Sequence, residues 1–146
     1  MTAAPPLDKA AIAARIPHAG AMRLLDTALD WDRTWIVCQA VSHRDPANPL
    51  RNLAGLPAVA GIEFAAQAVA LHASLTGIER EPRRGFLAVL NNVSWTRPRL
   101  DDIAGDLEIR AEQLAATGAA LQYAVTVSAD GQLILSGEFM VALQSA

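Results

Sequence analysis

The sequence predicts an α+β fold in which a curved antiparallel sheet wraps around one long central helix, as a single domain over residues 1–146. Three observations predict it. The stretch LAGLPAVAGIEFAAQAVALHASLTG, from Leu53 to Gly77, is a helix-length run with one fully charged residue, Glu63. Two strand-like segments precede it and four follow it. A helix that is apolar on most faces needs walls on most faces, and a strongly curved sheet supplies them.

Taken in order, LDKAAIAARI places Ile12 and Ile16 at i, i+4 spacing, a short helix ended by Pro17. AMRLLDTALDWD and TWIVCQAVS then read as strands on either side of a turn at Asp32-Arg33. HRDPANPLRNLAG, rich in Pro and Asn, reads as a loop. The central helix is expected to begin near Pro57 to Ala60 and to end near Gly77, with proline in the first turn and glycine past the last. The four later strands are GFLAVLNNVSWTR, GDLEIRAEQLAAT, AALQYAVTVSA and QLILSGEFMVAL. Leu107, Ile109 and Ala111 alternate with charged residues, and Leu121, Tyr123, Val125 and Val127 with smaller or polar ones. Asp130-Gly131 is a strong two-residue hairpin signal.

A chain of 146 residues is long enough to bury one continuous core, and 52% hydrophobic against 18% charged residues suggests further surface buried in an oligomer. The net charge of −3 argues against nucleic acid as a partner. Glu63, Gln67 and His72 interrupt the longest apolar run, so no membrane-spanning helix is expected. The opening MTAAPPLDKAAIAARIPHAG lacks a basic segment followed by an apolar one, so no secretory leader is expected. The single cysteine, Cys38, fits a reducing cytoplasm and excludes an internal disulfide.

Chemistry has few places to reside. Glu63 and Gln67 share a helix face that continues through Ala70 and Ser74, a polar start followed by small residues that suits an extended ligand. Backbone N–H groups near Ala58 to Gly61 are placed to polarise a carbonyl oxygen. The alternative is that Glu63 complements the helix N-terminus from an exposed turn, with Gln67 as its partner. Of the three histidines, His72 lies about 180° around the helix from Glu63 and reads as a core or interface residue. His43 reads as a solvated loop residue, and His18 stands between the first helix and the first strand. No spacing of His, Cys, Asp or Glu suggests zinc, and no nucleotide-binding or serine-hydrolase motif occurs, so neither metal nor cofactor is expected. Arg80, Arg83, Arg84, Arg97 and Arg99 gather in a short span, either as a solvated surface or as a docking patch for an acidic partner.

Together these segments resemble the β-hydroxyacyl-acyl-carrier-protein dehydratases of the hot-dog superfamily over nearly the whole chain. IPHAGAMRLLDTAL is similar to that family's opening segment. LPAVAGIEFAAQA is similar to its central helix start, with Pro57-Ala58 in place of Pro-Gly, Glu63 at the catalytic acid and Gln67 at the following glutamine. The strand, basic-proline turn and Gly-Asp strand after the helix also match. One departure stands out. The main enzymes carry their catalytic histidine in a GHFPG loop, which falls here on NPLRN, with Pro49 at the histidine position. The opening histidine and GIEFAAQ resemble instead a divergent branch, the dehydratase-like proteins of aryl-polyene pigment clusters.

The resemblance implies dehydration of a (3R)-hydroxyacyl thioester on acyl carrier protein, in fatty-acid or polyene biosynthesis. Protonated Glu63, its pKa raised by apolar surroundings, would be the acid, and His18 the base. Gln67, Pro57, Ala58 and Gly61 would bind substrate. A homodimer or heterodimer with a related hot-dog subunit is implied. A hot-dog thioesterase with Glu63 activating water, or a non-catalytic subunit that binds acyl carrier protein, remain the alternatives.

Overall fold

The computed structural model describes residues 4–76 and 85–143, and among these it forms one six-stranded sheet and two α-helices. The strands are β1 (Thr27–Trp31), β2 (Trp35–Ala40), β3 (Gly85–Trp95), β4 (Leu107–Ala116), β5 (Ala120–Ala129) and β6 (Gln132–Leu143). Their order across the sheet is β1-β2-β4-β5-β6-β3, and every neighbouring pair is antiparallel. The short helix α1 is Lys9–Ala13 and the central helix α2 is Gly61–Leu75. The sheet closes on α2, which packs against β2, β4 and β5.

The alternation expected from the sequence sets the inner face. Leu107, Ile109 and Ala111 of β4 and Leu121, Tyr123, Val125 and Val127 of β5 are buried, and Glu108 and Glu112 are exposed. Asp130 and Gly131 take φ of 52° and 76°, the paired left-handed conformation of a two-residue hairpin. On α2, Phe64, Ala65, Ala68, Val69, Leu71 and Ala73 are all buried, as befits a helix enclosed on most faces. By length and composition alone Ala58–Leu75 could cross a bilayer, but 61% of it is buried within the fold. Small residues bring it close to the sheet. A Cβ built on Gly61 would stand 3.4 Å from Val127 Cγ2 and from Leu135 Cδ1.

The start of α2 is anchored from outside the helix. Leu100 N donates to Leu56 O, and Ala58 N to Pro98 O, each at 2.9 Å. Leu56 N donates to Asp101 Oδ1 at 2.8 Å, and Arg99 holds the Asp101 carboxyl well below the usual carboxylate range. Gly55 makes this approach possible: its φ is +111°, and a Cβ there would lie 2.6 Å from Asp101 Oδ1. A 3-10 turn, Ala58–Ala60, with Pro57 as its cap, leads into α2. The expected helix start therefore holds. The helix ends at Leu75 with Thr76 as cap, and the expected closing residue, Gly77, lies outside the described residues.

Two boundaries differ from the sequence reading. The first predicted strand began at Ala21, but β1 begins at Thr27, because Leu24 N and Met22 O bond the Gln67 side chain instead of a neighbouring strand. The first helix is also shorter than LDKAAIAARI. Asp8 caps it by accepting from Ala11 N at 2.9 Å, and Ile12 and Ile16 are both buried although the helix stops at Ala13.

The buried histidines bear on acid stability. His72 is a core residue as expected: it is fully buried, with Nδ1 2.6 Å from Tyr123 Oη and Nε2 2.9 Å from Asp32 O. His43 corrects the expectation of a solvated loop residue. It too is fully buried, with Nε2 3.1 Å from Ile103 O and 3.0 Å from Gly105 O. A proline-rich loop disguised it, because the sequence does not show that residues 103–105 fold over it.

Burial lowers the pKa of both histidines below the ordinary value of 6.5. The unfolded chain therefore binds protons that the folded chain refuses. Stability should be fully present above about pH 6.5 and should fall as pH drops towards the folded pKa values. Thermal melts of the native protein should show Tm falling between pH 7 and 5, above the range in which carboxylates titrate. A flat Tm over that interval would contradict neutral burial of these rings.

Candidate active site

Past the end of α1 at Ala13, the chain runs through Pro17 to His18, in a segment that bends back over the N-terminal part of α2. Gly20, at φ +59°, starts a 3-10 turn, Gly20–Met22, that makes the bend. Met22 N donates to Ala19 O and Arg23 N to Gly20 O, while Arg23 Nε donates to His18 O at 3.0 Å. The result is a short side-chain contact between distant parts of the chain. His18 Nε2 lies 3.1 Å from Glu63 Oε1, and their side chains are 24% and 34% exposed.

This contact decides the electrostatics. Glu63 was expected to have a raised pKa from its apolar surroundings. Its pKa is lowered instead, chiefly by the hydrogen bond from His18, against desolvation and with a smaller contribution from Gln67. A half-exposed carboxyl with two donors is better solvated as an anion than burial alone would allow. His18 Nδ1 is buried and has no hydrogen-bond partner among the described residues.

The other expected site residues separate into groups. Gln67, expected to touch substrate, is fully buried, and its carboxamide is engaged within the chain. Its Oε1 accepts from Leu24 N at 2.9 Å; its Nε2 donates to Met22 O at 2.6 Å and reaches Glu63 Oε1 at 3.4 Å. Gly61 faces Val127 and Leu135 of the sheet. Ala58 is buried, and its N–H is committed to Pro98. Ala60 N donates to Pro57 O and Gly61 N to Ala58 O. Three of the four N–H groups expected to polarise a carbonyl are thus committed. Val59, 46% exposed, has the N–H of this turn with no acceptor seen among the described residues. The sequence reading named the turn but not this group, because it could not show that residues 98–100 pair with the chain ahead of the helix.

Arg23 was also missed. Its only signal was position, as the one cation in IPHAGAMRLL. Of the expected arginine cluster, Arg97 pairs with Asp102 at 3.0 Å and Arg99 with Asp101, so their charge is largely compensated. Arg80, Arg83 and Arg84 lie outside the described residues. No group of three or more His, Cys, Asp or Glu side chains is placed to hold a metal ion among the described residues.

A six-stranded antiparallel sheet around one helix, with an acid near that helix's N-terminus facing a histidine from the opening segment, defines a hot-dog protein of the dehydratase or thioesterase kind. The family model described as ApeP dehydratase matches residues 10–145, and the chain belongs to this ApeP-like family. Among solved structures, the dehydratase heterocomplex ApeI:P from Xenorhabdus doucetiae matches with a TM-score of 0.82 at 22% identity. The match covers 92% of this chain and 91% of that one. Zebra fish thioesterase superfamily member 2 matches with a TM-score of 0.65 at 17% identity, covering 93% and 95% of the two chains. The PaaI protein of the Escherichia coli phenylacetic acid degradation operon matches at 0.62 and 12% identity, covering 92% and 88%. At these identities the structures show the fold. Comparison with curated proteins gives no match.

Proposed function

We propose that this protein dehydrates (3R)-hydroxyacyl thioesters carried on acyl carrier protein, in aryl-polyene or fatty-acid assembly, with Glu63 as acid and His18 as base. The observation that carries the reading is the 3.1 Å contact between His18 Nε2 and Glu63 Oε1 in a chain of the ApeP-like family. It supports an acid and a base drawn from a single chain, without the loop histidine at whose position the resemblance places Pro49.

The proton balance suits elimination. Neutral His18 takes the C2 proton, the C2=C3 double bond forms, and the C3–O bond breaks. The departing hydroxide takes the Glu63 proton and leaves as water. The pair then stands as imidazolium and carboxylate, and transfer across their contact restores the starting state. In the unliganded chain the contact favours the Glu63 anion. An acyl chain that enters between the two groups and displaces water disfavours the ion pair, which returns the proton to the carboxyl where it is needed. Val59 N–H, exposed near the positive end of α2 and with no acceptor among the described residues, would hold the thioester oxygen as negative charge develops on it. No cofactor is needed for such an elimination.

The active unit is proposed to be a dimer, either homodimeric or paired with a related hot-dog subunit as in the ApeI:P heterocomplex. β3 ends the sheet, and Val89, Leu90 and Trp95 on it are 44%, 46% and 49% exposed, a ready surface for a second sheet. One experiment tests the whole reading. The purified protein is sized by light scattering and then mixed with a 3-hydroxyacyl carrier-protein thioester. Mass spectrometry should show loss of water in a species larger than a monomer. An intact substrate, or a monomer at micromolar concentration, would count against it.

The ionised state of Glu63 favours a second reading, a thioesterase in which the carboxylate activates water. Release of free hydroxy acid with no enoyl product would identify it.

A further inference from the structure

We propose that Gln67 is a positioning residue for the His18–Glu63 pair, and not a substrate ligand: it fixes the distance between the two groups by clamping the opening segment to α2. It rests on the reading of that pair as the reacting groups.

The geometry leaves the carboxamide one orientation. Leu24 N can only donate and Met22 O can only accept, so Oε1 must face Leu24 and Nε2 must face Met22. With that orientation fixed, Nε2 also points a donor at Glu63 Oε1, 3.4 Å away. One side chain therefore touches Glu63 directly and the segment bearing His18 on both sides of Arg23. Arg23 completes the path, since its Nε holds His18 O at 3.0 Å. Both backbone bonds span more than forty positions, with sequence separations of 43 and 45. They replace ladder bonds that β1 would otherwise make if it began where its sequence pattern begins.

A fully buried amide with both ends engaged is not available to a substrate. It is suited to holding a histidine within hydrogen-bond reach of an acid, where a displacement of about 1 Å can cost about 10²-fold in rate.

The test compares wild type with Gln67→Met, which keeps length and volume but loses both hydrogen-bonding ends, and with Gln67→Glu, which keeps the acceptor and turns the donor into a repelling oxygen. For a positioning residue, kcat should fall by about 10- to 100-fold in both variants while KM stays within about twofold. A raised KM with kcat unchanged would mean that Gln67 binds substrate, and full activity would mean that it does nothing for the site. Either result overturns the proposal.

Nuclear magnetic resonance supplies a readout that does not require turnover. The His18 ring-nitrogen resonances should differ between wild type and folded Gln67→Met, and unchanged resonances would overturn the proposal. Changed resonances in a protein that dehydrates nothing would uphold the clamp and reject the dehydratase reading, so the two failures are distinguishable. If neither variant folds, the wild type decides. Its Gln67 side-chain amide protons should exchange slowly with solvent, and their shifts should move as Glu63 titrates. Fast exchange or flat shifts would overturn the proposal.

Discussion

Glu63→Gln is expected to lower the dehydration rate by about 10²- to 10⁴-fold, the range in which a positioned acid or base contributes. The substitution is nearly isosteric and lies at a position whose side chain is 34% exposed, so it leaves no cavity. The amide can still meet the His18 ring and the Gln67 donor. What it cannot do is give a carboxylic proton to a departing hydroxyl. Circular dichroism and Tm should therefore stay close to wild type while turnover collapses, and that dissociation separates an acid from a structural cap. A Glu63→Gln protein that retains full activity would leave Glu63 as an N-terminal charge complement of α2, the plain alternative that the sequence allows. A protein that loses its fold along with its activity would show that the ion pair holds the opening segment in place. It would then say nothing for proton donation.

Much of this fold was legible in the sequence, for a definite reason. β5 alternates along its whole length, and β4 from Leu107 to Glu112, because one face meets α2 and the other does not, and Asp130-Gly131 must turn where it does because only such residues accept two positive φ values cheaply. The helix was legible because its enclosure demands apolar residues on most faces. The site was legible in part. Glu63 announced itself as one acid in an apolar helix, and His18 followed by resemblance once Pro49 had displaced the loop histidine. The direction of the Glu63 pKa was not legible, because it depends on a contact 45 positions apart in sequence (63 − 18 = 45) that burial alone does not anticipate. The burial of the Gln67 carboxamide was not legible for a related reason. Its helical face was right, but nothing local to Gln67 says that Met22 and Leu24 will forgo strand pairing to occupy it. His43 was misread because a loop's composition reports its irregular backbone and not what covers it.

His18→Ala tests the other half of the pair, and its expected effect is a loss of about 10²-fold or more in dehydration if the ring takes the C2 proton. A second consequence follows from the electrostatics. His18 is the largest cause of the lowered Glu63 pKa, so its removal should move the Glu63 titration upward, towards what desolvation alone dictates. The sign for stability runs the same way. A depressed carboxylate stabilises the fold above its unfolded pKa and loses that contribution as pH falls through the folded value, so the variant should lose part of the acid-range dependence that wild type shows. Carboxyl carbon NMR of Glu63 across pH 3 to 7 measures the shift directly, independent of turnover. If Glu63→Gln is inactive, His18→Ala is silent in rate, and Glu63 still titrates low, the carboxylate works without the ring. In that case free acid should be sought as the product, because an anion that needs no partner base is placed to activate water against the thioester carbonyl. If instead both variants fail and the Glu63 titration moves upward when His18 is removed, the two side chains act as one proton-exchanging unit, as elimination requires.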